Sequence, residues 1–304
     1  MKHMQGKLYL LGAFSLAGTS VVTGYILKAK LGSFTITALS LSIVLLCLLP
    51  IYKIKTLETM RRLRRSDWFM LLCQATFGIF LFRTFLLFGV GLTSTVEAGI
   101  LTGTTPAITS LFAFFLLKEK LYGTTILGVC CTVTGILLLQ GINLLSTRFS
   151  SEHLLGNMLI LCAAASESTF NIISRRHKSR VQNQSAVQIH PLIQTLIVSG
   201  MALILSIIPA ILEHPFVSLR ALGWFEWLAL VWYGLVVTVL AFVFFYEGIK
   251  RCDAYTAAAF SGMMPFVSMF LSALLLKDNI GYAQLGGGLL IILSMLLIGK
   301  RKKT

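Results

Sequence analysis

Long apolar blocks separated by short polar stretches run along the whole chain. The blocks at 8–27, 34–50 and 154–173 are each close to the roughly 20 residues that a helix needs to cross a ~30 Å hydrocarbon core. Ten such spans can be drawn, at residues 8–27, 34–51, 68–91, 95–117, 124–145, 154–173, 186–210, 224–248, 254–276 and 280–298. The pattern therefore predicts an all-α integral membrane protein with ten transmembrane helices.

The composition agrees with a fold whose solvent is lipid. Charged residues make up 12% of the 304 residues, half of the roughly 25% that soluble domains carry. The net charge of +15 comes from Lys and Arg in the gaps between apolar blocks. No separate basic domain is present, so the charge does not predict nucleic-acid binding. No cofactor is expected either, because the six cysteines lie in or beside apolar segments and lack metal-binding spacing.

The same cations predict the orientation of the chain in the membrane. With the N-terminus inside, the inner segments hold 20 Lys and Arg residues and the outer segments hold 5, while Arg83 lies within a span. Cytoplasmic segments of membrane proteins carry such an excess. We therefore expect both termini in the cytoplasm.

An internal repeat divides the chain into two halves. Residues 99–120 match residues 258–279 at a constant offset of 159. The matched positions include a glycine, a proline, a hydroxyl residue and a closing acid; they are Gly103 with Gly262, Pro106 with Pro265, Thr102 with Ser261, and Glu119 with Asp278. Each half holds five helices, and because five is odd the second half enters the membrane from the opposite face. We predict two inverted five-helix repeats, at residues 1–148 and 149–304.

These features resemble the EamA-type ten-helix members of the drug/metabolite transporter superfamily. The likeness rests on the two five-helix units, the repeated prolines and closing acids, the glycine-containing fifth and tenth spans, and the segment FFYEGIKRCDAYTAA at 244–258. It implies a multi-pass carrier of the plasma (inner) membrane, with a central cavity lined by helices one to four and six to nine. Members commonly export amino acids, other metabolites or drugs, and some import metabolites. The second closing acid here is Asp278, where the family favours glutamate.

Two polar stripes lie at equivalent places in the two halves. Thr19 and Thr23 are four residues apart on the first span, and Glu167 and Asn171 have the same spacing on the sixth, so each pair lies on one helix face. An offset of 148 superimposes the two pairs. Helices that line one cavity would present matched stripes of this kind. The alternative is hydrogen bonding between packed helices, which Ser and Thr often provide in membranes.

Glu167 is the most informative residue of these stripes. It is about 11–13 residues into its span, roughly 17–20 Å deep at 1.5 Å per residue. A carboxyl group at this depth is either paired with a cation or neutral and able to exchange a proton. We predict a site for proton coupling or a counter-charge for an amine; a paired or permanently protonated packing residue is the alternative.

Arg83 is the second charged residue within a span. It lies roughly 22 Å past Trp68 along its helix. Because a guanidinium keeps its proton, it must face water, a carboxylate or an anionic solute. One hypothesis is that Arg83 clamps a substrate carboxylate; the alternatives are that it snorkels outward or pairs with Glu97.

Further candidates are polar side chains on other spans. They are Thr102, Ser261, His190, Gln194 and Tyr233. His190 and Gln194 are four residues apart near the start of the seventh span, and histidine can titrate near neutral pH. An ordinary helix-end histidine would fit the same position.

The sequence predicts a secondary transporter and not an enzyme, since it lacks the HExxH, GxSxG and Walker-type motifs. The leading hypothesis is an exporter of amino acids or related amphiphilic solutes that works by alternating access, with proton coupling as an option. An importer of a charged or nucleotide-like metabolite is the runner-up, and a membrane-embedded transferase, a channel or a scaffold are alternatives of other classes. The expected partners are a small-molecule substrate and membrane lipid, without nucleic acid, for a chain that can act as a monomer.

Overall fold

The computed structural model shows helices joined by short connections. It describes residues 2–117, 123–139, 151–183, 186–220, 222–252, 257, 260–277 and 281–299. The first half contains α1 (Lys2–Lys28), α2 (Ser33–Arg62), α3 (Arg65–Ala75), the π-helix π1 (Thr76–Leu81), α4 (Phe82–Gly89), α5 (Thr95–Thr102), α6 (Thr105–Leu117) and α7 (Gly123–Leu139). The second half contains α8 (Ser151–Gln182), α9 (Pro191–Leu212), α10 (Pro215–Leu219), α11 (Trp224–Val231), π2 (Trp232–Leu240), α12 (Ala241–Arg251), α13 (Met263–Leu275) and α14 (Tyr282–Gly299). All regular elements in these ranges are helices, which confirms the all-α fold class.

Six helical segments of the described chain are long and apolar enough to cross a membrane. They are Met4–Lys28, Ser33–Arg62, Arg65–Gly89, Thr95–Phe115, Pro191–Leu212 and Trp224–Arg251. Shorter apolar helices lie at Gly123–Gly135, Met263–Leu275 and Leu285–Leu297, and α8 covers the predicted sixth span. The protein is therefore a multi-pass membrane protein. The count of ten spans and the division of the chain after residue 148 stay predictions.

Two helices continue well past the spans predicted for them. The second span was predicted at 34–51, but α2 continues to Arg62; the sixth was predicted at 154–173, but α8 continues to Gln182. The apolar pattern stops at the membrane boundary, whereas Lys and Arg are good helix formers that extend the helix. Both extensions lie where α2 ends and α9 begins, which we call the basic end. The opposite end, where α1 ends and α2 begins, is the far end.

The largest helix contacts join a helix of one half to a helix of the other half. α1 packs on α12 and α13, while its counterpart α8 packs on α4 and α6. α2 packs along α9, and α7 packs along α14, where the hydroxyls of Thr132 and Ser294 are 2.6 Å apart. Because the contacts of one half recur between the counterpart helices, the packing fits the two-repeat architecture.

The two π-helices occupy equivalent places in the repeats. The offset of 159 places π1 on residues 235–240, within π2. A π-helix leaves carbonyl oxygens without their usual partners, and in a membrane these need other donors. Ser166 Oγ donates to the Phe77 carbonyl oxygen at 2.8 Å, and Thr238 Oγ1 donates to the Tyr233 carbonyl oxygen at 2.8 Å. In π1 a carbonyl oxygen therefore accepts a hydrogen bond from a hydroxyl of α8, and in π2 a carbonyl oxygen accepts one from a hydroxyl of π2 itself.

Breaks in the fourth and ninth spans lie at the repeated glycines. The region 95–117, which was predicted as one span, is two helices separated by a turn at residues 103–104. A turn at residues 261–262 likewise precedes α13. Pro106 and Pro265 lie in the first turn of the helix that follows, where a missing N–H breaks no intrahelical bond.

Close contact between α1 and α13 depends on Gly18. A Cβ added there would lie 2.6 Å from the Met264 carbonyl oxygen, and Ser268 Oγ donates to the Gly18 carbonyl oxygen at 2.6 Å. We expect Gly18→Leu to lower the free energy of unfolding by about 2 kcal/mol, measured as a lower midpoint of thermal unfolding in detergent. Gly200→Leu is the matched control, since a Cβ at Gly200 meets nothing within 4 Å. Equal midpoints for the two variants would contradict this expectation.

Candidate translocation site

Glu167 lies near the middle of α8 and faces the break between α5 and α6. Its Oε2 accepts a hydrogen bond of 3.0 Å from Thr105 Oγ1, and the neighbouring Ser168 Oγ donates to the Thr105 carbonyl oxygen at 3.0 Å. In the described ranges, no Lys, Arg or His nitrogen lies within 4 Å of this carboxyl group. Glu167 is therefore held by a broken helix of the other half and not by a cation.

The face of α8 that carries Glu167 leads to a cavity at the basic end. Asn171, Ser174 and His177 follow Glu167 at helical spacing, and the last two line the cavity. Ser174 is about 10 Å from Glu167 along the helix. The cavity lies between α8, α9 and α12 and has a volume of about 240 Å³, room for a solute the size of an amino acid. The side chain of Asn171 is half-buried, and its amide group has no hydrogen-bond partner within the described part of the chain.

Hydrogen bonds between four helices form the inner wall of this cavity. Gln74, on α3, is fully buried, and its Oε1 accepts bonds from Gln194 Nε2 at 2.9 Å and from the Tyr246 hydroxyl at 3.3 Å. Its Nε2 donates to Ser174 Oγ at 3.5 Å. The structure brings the predicted candidate Gln194 to the cavity. Gln74 was missed, although the offset of 159 pairs it with the candidate Tyr233.

Of the histidines at the basic end, His177 lines the cavity and the predicted candidate His190 does not. His190 is exposed at the N-cap of α9. His177 is 6% exposed, and its Nδ1 has no hydrogen-bond partner among the described atoms. The pKa of His177 is lowered from its ordinary value, chiefly because burial disfavours the charged form. The nearby Asp67 opposes this shift, and Arg180 adds to it. The sequence signal was weak, because His177 lies in the basic run RRHKSR, which is typical of a solvated surface.

Arg83 lies on α4 near the far end and bonds to groups on α2 and π2. Its Nη1 donates to Ser40 Oγ at 2.9 Å, and its Nη2 donates to the Tyr233 carbonyl oxygen at 3.3 Å and to the Thr238 hydroxyl. The guanidinium carbon lies 4.3 Å from the centroid of the Tyr233 ring. Arg83 is 4% exposed, so it is packed between α2 and π2 and does not snorkel.

The partners of Arg83 keep hydrogen bonds of their own. Ser40 Oγ donates to the Thr37 carbonyl oxygen at 3.0 Å, and Thr238 Oγ1 donates to the Tyr233 carbonyl oxygen. These groups would remain bonded without the guanidinium. Burial of a cation has a desolvation cost, which offsets part of the stabilisation that its hydrogen bonds provide.

The predicted alternative, a pair between Arg83 and Glu97, is wrong. Glu97 Oε2 accepts bonds from Asn157 Nδ2 at 2.8 Å and from Thr93 Oγ1 at 3.0 Å. In the part of the chain that the structure describes, no carboxylate lies within 4 Å of Arg83. Glu97 instead ties the start of α5 to α8.

The remaining candidates lie in packed helix contacts. Thr19 Oγ1 accepts a bond from Trp232 Nε1 at 3.0 Å, and Thr23 Oγ1 donates to the Thr19 carbonyl oxygen at 2.9 Å. Thr102 Oγ1 donates to the Gly99 carbonyl oxygen at 2.6 Å. The Tyr233 hydroxyl is buried and has no hydrogen-bond partner among the described atoms. Ser261 is buried in the turn before α13, while Glu119 and Asp278 lie outside the described residues.

Each polar stripe of the sequence thus contacts the half to which it does not belong: Thr19 of the first half bonds to π2, and Glu167 of the second half bonds to α6. Within the described residues, no group of three or more His, Cys, Asp or Glu side chains could hold a metal ion. Apolar helices in two counterpart sets, with broken helices and a partly buried carboxyl group between them, define a membrane transporter.

The family of this transporter follows from comparison with known sequences. The EamA-like transporter family matches residues 5–140 and 154–300. The chain belongs to this family.

Its relatives include named transporters. The "Uncharacterized transporter YetK" of Bacillus subtilis (strain 168) is 30% identical over 95% of this chain and 87% of its own length. The "Aromatic amino acid exporter YddG" of Ancylobacter novellus is 26% identical over 75% of this chain and 73% of its own length. A solved crystal structure, 22% identical, covers 96% of this chain and 95% of its own with a TM-score of 0.65, which supports the fold.

Proposed function

We propose that this protein exports amino acids or related amphiphilic solutes across the plasma membrane by alternating access, coupled to protons through Glu167. The proposal is carried by the position of Glu167, whose carboxyl group meets a broken helix of the other half and has no cation beside it in the described chain. Such a group can take up a proton or an ammonium group in one conformation and release it in another. The relative named as an aromatic amino acid exporter supports this substrate class.

The surroundings of the α8 stripe support an amphiphilic solute. Phe170 lies between Glu167 and the cavity along the helix, and its ring packs 5.4 Å from Phe242 and 6.3 Å from Tyr246, measured between centroids. The cavity itself offers the amide of Gln194 and the hydroxyl of Ser174. Aromatic surface beside a few hydrogen-bonding groups suits a solute with one apolar and one polar part.

The distribution of cations supports the direction of the pathway. Both termini are proposed to be cytoplasmic, which makes the basic end the inner face of the membrane. The cavity beside α9 would then receive solute from the cytoplasm. Rocking of one five-helix half against the other would carry the solute to the far end.

An importer of a charged or nucleotide-like metabolite is the second candidate. It is favoured by Arg83, which has no carboxylate within 4 Å in the described ranges, and by Lys250, which lines the cavity and whose Nζ lies 3.3 Å from Glu247 Oε1. Both groups could bind an anionic solute. The two candidates differ in the solute and in its direction.

Flux of radiolabelled solutes through purified protein in proteoliposomes tests the proposal. We expect release of loaded aromatic or aliphatic amino acids at several times the rate of protein-free liposomes, and faster release when the face that corresponds to the far end is acidic. Uptake of a nucleotide-like anion without amino-acid flux would select the second candidate. Absence of flux for amino acids, amines and anions alike would overturn the transporter assignment for this chain.

A further inference from the structure

A carboxylate from the second half caps the first turn of α2. Glu213 follows the last residue of α9, and its Oε1 accepts a hydrogen bond of 3.2 Å from the Phe34 amide. Its Oε2 accepts bonds of 2.8 Å from the Thr35 amide and 2.8 Å from the Thr35 hydroxyl. This contact joins residues 178 positions apart at the far end of the bundle.

The capping of α2 by Glu213 replaces a cap that the local sequence does not supply. The N-cap residue of α2 is Gly32, which has no side chain, and the first turn contains no acid. The first amides of a helix lack intrahelical acceptors and carry partial positive charge, so a carboxylate stabilises them. Glu213 lies at the C-terminus of α9, where a negative charge is unfavourable, and its carboxylate is therefore drawn to α2.

Gly32 leaves the space that the carboxylate occupies. A Cβ added at Gly32 would lie 2.0 Å from Glu213 Oε2 and 2.2 Å from its carboxyl carbon. No side chain can be accommodated there without displacing Glu213. A change at position 32 can thus break the contact while leaving the charge of the protein unchanged.

At the basic end, none of the carboxylates in the described residues caps the start of α9. α2 and α9 are the second helices of the two repeats, so in an inverted arrangement the start of α9 corresponds to the start of α2. α9 begins at the N-cap His190, whose side chain makes no capping bond, and its first turn contains no acid. Gln188, Ile189 and Gln194, around this uncapped start, line the cavity. Glu213 therefore joins the pair at the far end, whereas at the basic end the start of α9 borders the cavity, and Met60 and Leu63 at the end of α2 pack in the same apolar cluster as Ile189 and Ile193.

Further contacts join the halves at the far end, and two of them lie close to the start of α2. Lys30 Nζ lies 2.5 Å from Glu226 Oε1, between the α1–α2 turn and α11. Arg83 joins α4 to π2, as described above. Both contacts involve elements that pack next to the start of α2. They add to the closure of the end that Glu213 caps.

We propose that Glu213 is the gating residue of the far end, and that its contact with the start of α2 must break for the far end to open. The inference rests on the proposed alternating-access function and assigns the residue that biases its two states. While the carboxylate caps α2, the far end is closed and the cavity at the basic end is accessible. When the far end opens, the first turn of α2 loses its cap, so loss of Glu213 favours the far-open state.

Hydrogen–deuterium exchange of the protein in nanodiscs tests the gate without any solute. We expect Glu213→Ala and Gly32→Ala to speed amide exchange across residues 224–240 at the far end by roughly tenfold, the factor that corresponds to 1.4 kcal/mol. Exchange across residues 174–194 at the basic end should become slower in the same variants. Gly200→Ala, on α9 with open space around it, is the matched control and should leave both regions unchanged.

Opposite changes at the two ends separate a gate from a simple cap. Faster exchange confined to the first turn of α2 would leave Glu213 a local cap and overturn the proposal, and faster exchange at both ends would indicate general loosening with the same consequence. If Glu213→Ala does not fold, Gly32→Ala decides alone. If the protein transports solute but the two ends do not change exchange in opposite directions, the gate is rejected and the transport function is kept. If the two ends do change in opposite directions but no solute is transported, the gate is kept and the proposed transport function is rejected.

Discussion

Replacing Glu167 with glutamine is expected to abolish the effect of a pH gradient on flux. Glutamine has the same shape and can still accept the hydrogen bond from Thr105 Oγ1, so the contact at the helix break is preserved. It cannot take up or release a proton, and it cannot balance an ammonium group. We expect gradient-driven amino-acid flux to fall by at least about tenfold, because a hydrogen bond to a charged group is worth roughly 1.5–3 kcal/mol.

Glu58→Gln is the matched control for this prediction. Glu58 is exposed on the extension of α2, so the same chemical change there should leave flux and its pH dependence intact. Thr105→Val removes the hydroxyl that bonds to Glu167 and keeps the carboxyl group; it should reduce flux less and retain the pH dependence. Flux of Glu167→Gln that matches the parent in both magnitude and pH dependence would remove this residue from the mechanism.

Replacing Arg83 with methionine is expected to leave the thermal stability of the protein nearly unchanged while it reduces transport of solutes that carry a carboxylate. Ser40 and Thr238 keep other hydrogen bonds when the guanidinium is lost, and no carboxylate within the described chain is left unpaired near it. Exchange of a buried charge for an apolar side chain of similar length is often neutral or stabilising. We therefore expect a midpoint of thermal unfolding within about 2 °C of the parent or above it.

Transport of solutes with a carboxylate should fall in the same variant, by about tenfold to a hundredfold if the guanidinium binds that group in the transport cycle. Amines without a carboxylate should be transported as before. Lysine should not restore the lost flux, because a point charge cannot reproduce the planar guanidinium that bonds to both α2 and π2. Arg220→Gln, at an exposed position, is the control. A large drop in the unfolding midpoint with unchanged flux would instead assign Arg83 to packing.

The helices of this protein were largely predictable, whereas their ends and breaks were not. Hydropathy marks the segments that lipid surrounds, which is why six of the predicted spans recur as long apolar helices in the described residues. It does not mark where a helix stops, so the basic extensions of α2 and α8 were missed. The break at residues 103–104 was missed for a related reason: the mean hydropathy of Thr95–Phe115 is still 1.4, so the Gly, the Pro and the threonines around the break do not interrupt the apolar segment.

The candidate site was predictable in its residue types but not in its contacts. A carboxyl group and a guanidinium within apolar spans stand out because burial of a charge is costly, and this identified Glu167 and Arg83. Their partners are distant in sequence: Thr105 is 62 positions from Glu167, and Thr238 is 155 from Arg83. Gln74 and His177, at the cavity, were overlooked because nothing in the local pattern separates a lining side chain from a packed or solvated one.

The sequence by itself determined that this chain crosses a membrane several times, contains an internal repeat and belongs with transporters, because these properties follow from local hydropathy and from residues repeated at constant spacing. Only the tertiary structure decided which polar groups meet. It brought Glu167 to a broken helix, Arg83 to π2, Gln194 to a cavity and Glu213 to the start of α2. Such pairings depend on helices from opposite halves packing at specific angles and depths, and that information is spread over the whole interface.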